Sequence, residues 1–383
     1  APWPMTGEVN RRNVINPYLE KLQGLLEQAS PRLLNVKLFI YGFSRGAAEA
    51  RTFVNWLTQL ACPQEQQVML AGLAVSIEFL GLLDTVASVG AAHVLPGAAG
   101  HMGWADSTQQ LPDERQFPGL IKCCRHFVAA HEQRLCFPLD SIRRPDGNYP
   151  LNAEEIIYPG MHSDVGGGYP VRDQGKSCGD SGDILSQIAL HDMYLAAFDS
   201  GAPLAVYSKF VTPLIKGVSP LRIMSPSSVK EFTIANSLTK RFNIWRQTLL
   251  NTTLQGTEEM IDTREGYHPY QLAQVLQQIK AMGDGLYPQF FIDSLGTGTR
   301  TQPCAELLAL YDDQVHDSRA WFMQSSLGGR EPWGGYFRYR MIYFGDEANK
   351  ELKLISADGE VVGDQPTSNR VIYWMESKTV SRG

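Results

Sequence analysis

Apolar residues recur at helical spacing over 14–29, with Ile15, Leu19, Leu22, Leu25 and Leu26 on one side. That pattern predicts an amphipathic helix, ended by Pro31. The run 36–41 is apolar and β-rich apart from Lys37, the pattern of a buried strand, and helical periodicity returns over 47–60 with Phe53, Trp56, Leu57 and Leu60 at core spacing before Pro63. Residues 73–83 predict a second buried strand with Asp84 at its C-terminal end. A Gly-, Ala- and Pro-rich stretch, 87–112, reads as a long surface loop or cap insertion. The pattern then predicts a helical segment over about 114–132, a short strand over about 134–139 and a turn at Pro145-Asp146-Gly147. A third buried strand lies near 155–158, and helix returns over 183–200. Beyond 200 the pattern weakens. Helical stretches are expected near 228–250, 268–283 and 304–324, with a Gly/Thr loop at 296–301. A β-rich tail follows, with strands at 336–344, 351–356 and 370–375.

Strands alternating with helices predict an α/β fold with a mostly parallel sheet flanked by helices. In such sheets chemistry gathers beyond the C-terminal ends of the strands, at the loops holding Ser44, Asp84 and His162. The organisation expected is a core over 1–200 with the cap insertion at 87–112, then a helical and β-rich extension over 201–383.

The chain has 383 residues, 43% hydrophobic and 19% charged, which is ordinary globular composition. A net charge of −6 leaves no basic stripe to neutralise phosphates, which argues against nucleic acid as a partner. The six cysteines are scattered without a C-x-x-C pair, so neither a zinc site nor a dense disulfide framework is expected. No metal ligand set and no cofactor motif stands out. There is no apolar run of transmembrane length, and the first residues lack the pattern of a cleaved signal peptide.

The residues that carry chemistry begin at the end of the first strand. Gly42-Phe43-Ser44-Arg45-Gly46 joins a buried-type strand to an Ala-rich helix, the context in which Gly-x-Ser-x-Gly forms a nucleophile elbow. Both glycines are expected on steric grounds, because a serine in a strained turn crowds its flanking backbone. The bland alternative is a strand-to-helix turn whose serine merely caps the helix. The backbone N–H of Arg45, the residue after the nucleophile, is the assignable oxyanion donor.

A serine nucleophile needs a base, and the base needs an acid to orient it, in the chain order Ser, Asp or Glu, His. Asp84 is the candidate acid, its alternative role being an N-cap for the segment from Thr85. Among eight histidines, His162 in Gly160-Met161-His162-Ser163-Asp164-Val165-Gly166-Gly167-Gly168-Tyr169 is the candidate base. His316 is the alternative base, otherwise a helix-end histidine paired with Asp317. His126 and His131 read as structural histidines on a helix, while His93 and His101 fall in the presumed cap. Asp164 reads as shaping the glycine-rich loop. Arg45 and Arg51 read as ion-pair partners of Glu49 or Asp84, and Asp183 as the N-cap of the helix that follows it.

Three stretches in order, 41–51, 82–86 (Leu82-Leu83-Asp84-Thr85-Val86) and 160–169, resemble the type VI secretion lipase effectors of the α/β-hydrolase domain family with a Gly-Phe-Ser-Arg-Gly elbow. The stretch 315–322 is similar to a C-terminal element of these effectors. The resemblance implies an α/β-hydrolase fold and a Ser44–Asp84–His162 esterase, a phospholipase of the A type acting on membrane phospholipids. It implies delivery by the type VI route, without a cleaved signal, into the periplasm of a rival bacterium, where the enzyme works peripherally at the membrane. A secretion-apparatus spike or adaptor protein and a cognate immunity protein are the implied partners. The cap and the region beyond 200 would supply the membrane-engaging module. Family members also carry early strands and a Gly-rich, Asp-bearing turn that contributes to the oxyanion hole, and neither is found in this numbering. The competing readings are a carboxylesterase on soluble esters and a catalytically inert binding module.

Overall fold

The computed structural model describes residues 7–86, 110–132, 134, 137–146, 148–206, 222–250, 305–318, 339–344 and 346–354. In chain order these hold α1 (Gly7–Glu27), β1 (Asn35–Phe43), α2 (Arg45–Leu60), β2 (Cys62–Gln64), β3 (Gln67–Leu70), β4 (Leu73–Leu83) and β5 (Cys124–Ala129). There follow β6 (Leu139–Asp140), β7 (Ala153–Tyr158), α3 (His162–Gly166), α4 (Ser186–Asp199), α5 (Pro226–Glu231), α6 (Asn236–Leu250), α7 (Ala305–Asp313), β8 (Tyr339–Phe344) and β9 (Asp346–Leu354).

β4 organises a six-stranded mixed sheet. Along one edge it pairs in parallel with β1, from Asn35 opposite Ala74 to Phe43 opposite Leu83. Its other edge is shared by β3, antiparallel at Leu73–Val75, and β5, parallel at Leu80–Leu83. β7 continues the sheet in parallel beyond β5, while β2 and β3 form an antiparallel hairpin at its start. The C-terminal ends of β1, β4, β5 and β7 therefore lie along one margin of the sheet. β6 pairs with β8, and β8 with β9, in a second, three-stranded sheet.

β1, expected to be buried, pairs with β4 along one edge and has no buried residue. Helices cover both faces of β4, β5 and β7, the condition under which parallel strands are buried. On one face Ala47, Ala50, Val54 and Leu57 of α2 pack on Val75, Ile77, Leu80 and Leu82. On the other, Phe79, Phe127, Ile156 and Ile157 pack with Ile188 and Met193 of α4, Phe242 and Trp245 of α6, and Leu310 of α7. The arrangement is α/β, a mixed sheet with flanking helices. Among the described residues no helix is long and apolar enough to cross a membrane.

Several sequence expectations need correction. The stretch expected as helix over 114–132 contains strand β5. Its polar residues suggested an amphipathic helix, but Arg125 pairs with Glu154 and His126 with Glu155 on the neighbouring strand, so a buried strand accommodates them. Helix α1 forms, yet none of its residues is buried. α2 faces the sheet through its alanines, Val54 and Leu57, leaving Phe53 46% and Trp56 40% exposed. The small residues let the helix approach the strands closely, and the Arg11 guanidinium lies over the Trp56 ring at 4.7 Å. Among the described residues the strand near 134–139 is Leu139–Asp140, and 228–250 holds two helices, α5 and α6. The expected elements at 268–283, 296–301 and 370–375, and most of the cap with His93 and His101, lie outside the described residues.

Candidate active site

Ser44 stands between β1 and α2 with φ 58° and ψ −122°, a conformation few non-glycine residues adopt without a surrounding structure that enforces it. The turn is locked by Ser44 N donating to Leu83 O at 2.9 Å, and by Val86 N donating to Ser44 O at 3.2 Å. A Cβ on Gly42 would lie 2.3 Å from the Gly46 carbonyl oxygen, so this glycine is obligatory. Gly46 has open space around its own Cβ position. The expected steric need thus holds for the first glycine and not the second. The Ser44 side chain makes no capping hydrogen bond to α2, which removes the bland reading of the serine as a helix cap.

Asp84 ends β4 in a second positive-φ turn, at 40°. It is fully buried. Its backbone N–H donates to Phe127 O at 2.7 Å, and its Oδ1 accepts from Ala129 N at 2.9 Å. Its Oδ2 accepts from His162 Nδ1 at 2.6 Å. The acid thus bridges the end of β5 and the loop after β7.

His162 begins α3, just past β7, with its side chain 4% exposed. Its ring lies 4.6 Å from the Phe43 ring and 5.0 Å from that of Phe137. Gly166 is needed for this closeness, because a Cβ there would lie 2.0 Å from Phe43 Cε2. Because Nδ1 donates to Asp84, Nε2 keeps its lone pair. Burial pulls the imidazole pKa below its ordinary value, against the hydrogen bond and charge of Asp84 and the charge of Glu132, which pull it up. Among the described residues no hydrogen bond joins the Ser44 hydroxyl to His162. Such contacts commonly close only when substrate is bound.

His316 lies elsewhere. Its ring has no exposed surface and stacks on Tyr169 at 3.9 Å. Its Nδ1 donates to Asp164 Oδ1 at 2.6 Å rather than to Asp317. Asp164 does shape the loop, accepting from Met161 N at 2.9 Å. Arg51, expected beside Glu49 or Asp84, instead donates from its buried guanidinium to the carbonyls of Asp140 and Ser141 at 2.6 and 3.1 Å. Asp180, not Asp183, caps the turn before α4, accepting from Gly182 N.

Three buried residues of this region, Glu132, Arg134 and Glu155, escaped the sequence reading, and His126, read as structural, lies on a strand rather than a helix. His126 Nε2 accepts from Thr85 N at 3.1 Å, and its Nδ1 donates to Glu155 Oε2 at 2.8 Å. Glu132 accepts from Arg134 on both oxygens, at 2.9 and 2.8 Å, and Arg134 lies over the Phe137 ring at 3.5 Å. The available signal was the dipeptide His131-Glu132 directly after an apolar run, and an acid, Glu155, inside another. Among the described residues no group of His, Cys, Asp and Glu is arranged to hold a metal ion.

Residues 58–196 match the catalytic-domain model of the type VI secretion phospholipase effectors described as Tle1-like. Residues 271–378 match that family's C-terminal-domain model. The first match takes in Asp84 and His162 and begins after Ser44. Among solved structures the chain is similar to an uncharacterized protein from Pseudomonas aeruginosa at 30% identity and TM-score 0.63, covering 94% of this chain and 64% of that one. It is also similar to the Tle1 effector bound to the VgrG spike of the type 6 secretion system, at 17% identity and TM-score 0.35, covering 67% of this chain and 63% of that one. The chain thus spans somewhat less than two thirds of either protein. No curated protein matches. Two matches from one family, in chain order and together spanning well over half the sequence, place this chain in the Tle1-like phospholipase effector family of the type VI secretion system.

Proposed function

We propose that this chain carries the catalytic centre of a serine-dependent phospholipase of the A type, on an α/β-hydrolase fold. Ser44 is the nucleophile, His162 the base, and Asp84 the acid that orients it. The observation that carries the reading is the 2.6 Å hydrogen bond from His162 Nδ1 to Asp84 Oδ2. It is made beside a serine held at φ 58° whose hydroxyl does not cap its helix.

The chemistry follows from that arrangement. Ser44 Oγ attacks the acyl carbonyl carbon as its proton passes to His162 Nε2. Asp84 stabilises the resulting imidazolium through Nδ1–H and holds the ring in that tautomer. The carbonyl oxygen becomes an oxyanion facing the Arg45 backbone N–H at the start of α2, where the helix dipole favours negative charge. Collapse expels the lysophospholipid, which takes the proton from His162. Water, deprotonated by the same imidazole, then releases the fatty acid from Ser44. The buried ring of His316, turned toward Asp164, favours His162 as the base.

Family membership supports type VI delivery to the periplasm of a target cell, with a spike or adaptor protein and an immunity protein as partners. It also supports a core over 1–200 and an extension over 201–383 that engages the membrane. Hydrolysis of a fluorogenic phospholipid by wild type and Ser44→Ala tests the assignment. Loss of turnover with an unchanged melting temperature is expected, and near-wild-type turnover rejects the nucleophile. Faster hydrolysis of micellar than of monomeric ester separates a membrane lipase from a soluble carboxylesterase. Labelling of Ser44 by a serine-reactive phosphonate separates either from an inert module.

A further inference from the structure

Three consecutive backbone N–H groups carry the chain into α3, and each donates to a different buried side chain. Gly160 N donates to His131 Nδ1 at 2.8 Å. Met161 N donates to Asp164 Oδ2 at 2.9 Å, and His162 N donates to Glu132 Oε2 at 3.3 Å. Each of these three side chains is in turn bonded to one short segment, 152 to 186 positions further on. His131 Nε2 donates to the Tyr311 hydroxyl at 3.0 Å. Asp164 accepts from His316 Nδ1 at 2.6 Å and from His316 N at 3.1 Å. Glu132 Oε1 accepts from Ser318 Oγ at 3.0 Å.

We infer that Tyr311, His316 and Ser318 form a positioning element for His162, fixing the backbone from which the imidazole reaches both Asp84 and the elbow. The inference rests on the proposed Ser44–His162–Asp84 chemistry and extends it to the C-terminal half of the chain.

Two further observations separate a positioning role from ordinary packing. The first is the state of His316. Its Nε2 is buried with no hydrogen-bond partner among the described residues, an arrangement that costs free energy and that an apolar side chain of similar shape would avoid. The ring's polar use is its Nδ1–H to Asp164, the carboxylate that also holds Met161 N. The second is how the segment itself is fixed. Ser177 N donates to Asp313 O at 2.6 Å, Lys176 Nζ donates to the Tyr311 and Asp312 carbonyls at 3.1 and 2.6 Å, and Gln174 bonds both N–H and C=O of Asp317. The segment is therefore pinned to the chain that follows α3 as well as to the residues that precede it. Of the charged groups, Asp84, Glu132 and Arg134 act on His162, while Asp164 pairs with His316 beneath the Tyr169 ring.

The test uses His316→Ala and His316→Asn, with rates normalised to active sites counted by phosphonate labelling of Ser44. An asparagine amide can replace the Nδ1–H donor to Asp164, whereas alanine cannot. His316→Ala is expected to lower kcat about tenfold or more with KM within about twofold. Its acid limb in the pH profile of kcat should move up toward the ordinary imidazole value as water reaches His162. His316→Asn should recover most of the rate. An unchanged normalised kcat and acid limb in His316→Ala, with only a lower melting temperature, overturns the inference. Where His316→Ala does not fold, Ser318→Ala and Tyr311→Phe, each removing one outer hydrogen bond, are read in the same way. Wild-type labelling at Ser44 keeps the two questions apart. Labelling without an effect of these variants defeats only the positioning role, and failure to label defeats the catalytic reading beneath it.

Discussion

Glu155 and His126 form a wholly buried pair, 2.8 Å from Oε2 to Nδ1, directly beneath the turn that carries Asp84. The link to that turn is Thr85, whose backbone N–H donates to the far side of the same imidazole. Glu155 also accepts from Ser141 Oγ at 2.9 Å and Ile142 N at 3.0 Å, so one carboxylate ties β7, β5 and the acid turn together. An acid deep in a sheet is tolerated only when its oxygens are satisfied in this way.

Removing that carboxylate should therefore do more than open a cavity. Glu155→Ala leaves His126 Nδ1, Ser141 and Ile142 without their acceptor, and a loss of about 3 kcal/mol is expected in urea unfolding. The pH dependence has a definite sign. Burial alone would raise the Glu155 pKa, but the pairing with His126, the charge of Arg143 and the hydrogen bond from Ile142 N together outweigh it and hold it below its ordinary value of 4.5. A depressed carboxylate contributes stability that is present above its unfolded pKa and lost as pH falls through the folded one. Unfolding free energy measured below pH 4.5 should fall less steeply in the variant than in wild type. Equal slopes would remove Glu155 as a source of acid sensitivity.

The two glycines of the elbow should respond in opposite ways. Gly42→Ala drives a Cβ to 2.3 Å from a backbone oxygen and 2.6 Å from Ala47 Cα, contacts that no side-chain rotation relieves. A loss of about 3 kcal/mol, with loss of activity, is expected from such overpacking. Gly46→Ala meets nothing within 4 Å and sits in the first turn of α2. There alanine is the better helix former by about 0.8 kcal/mol, so the melting temperature should hold or rise. Thermal unfolding of both variants decides the matter, and equal destabilisation would contradict the contacts described.

Where the sequence was legible, and where it was not, follows from the same physics. β4 was readable to the residue because its long, β-rich run, whose only charged or hydroxyl residues are Ser76 and Glu78, is set off by Gly72 and Asp84 and reads simply as a largely buried strand. β5 was misread because Arg125 and His126 interrupt its apolar run, and their partners Glu154 and Glu155 lie almost thirty positions away on β7. Local pattern carries no record of a cross-strand partner. α1 shows the converse. Its apolar spacing resembles a packed face, yet no residue of it is buried and Leu22 and Leu25 are 40% and 59% exposed, because periodicity states which residues share a side and not how well anything covers it.

The candidate site divides along the same line. Ser44 and His162 stand out as candidates because each sits in a dense local motif, and Asp84 because it ends a legible strand. His316 was noticed only as a rival base. Its pairing with Asp164 and the bond from Ser318 to Glu132 join residues 152 and 186 positions apart, and no window along the chain contains both ends.

Burial lowers the His162 pKa, and Arg134 adds to that, while Asp84 and Glu132 raise it with a smaller net effect. A general base works unprotonated, so the acid limb of kcat/KM should lie below the ordinary imidazole value of about 6.5. Asp84→Asn removes two of the upward influences and the tautomer restraint together. The rate should drop on the order of a thousandfold or more, and the acid limb of the residual activity should move to still lower pH. Stability follows the same sign. The unfolded chain takes up the His162 proton first as pH falls, so this residue costs stability progressively below about pH 6.5. A wild-type acid limb at or above the ordinary value would mean that His162 works in water-filled surroundings, contrary to its enclosure between the rings of Phe43 and Phe137.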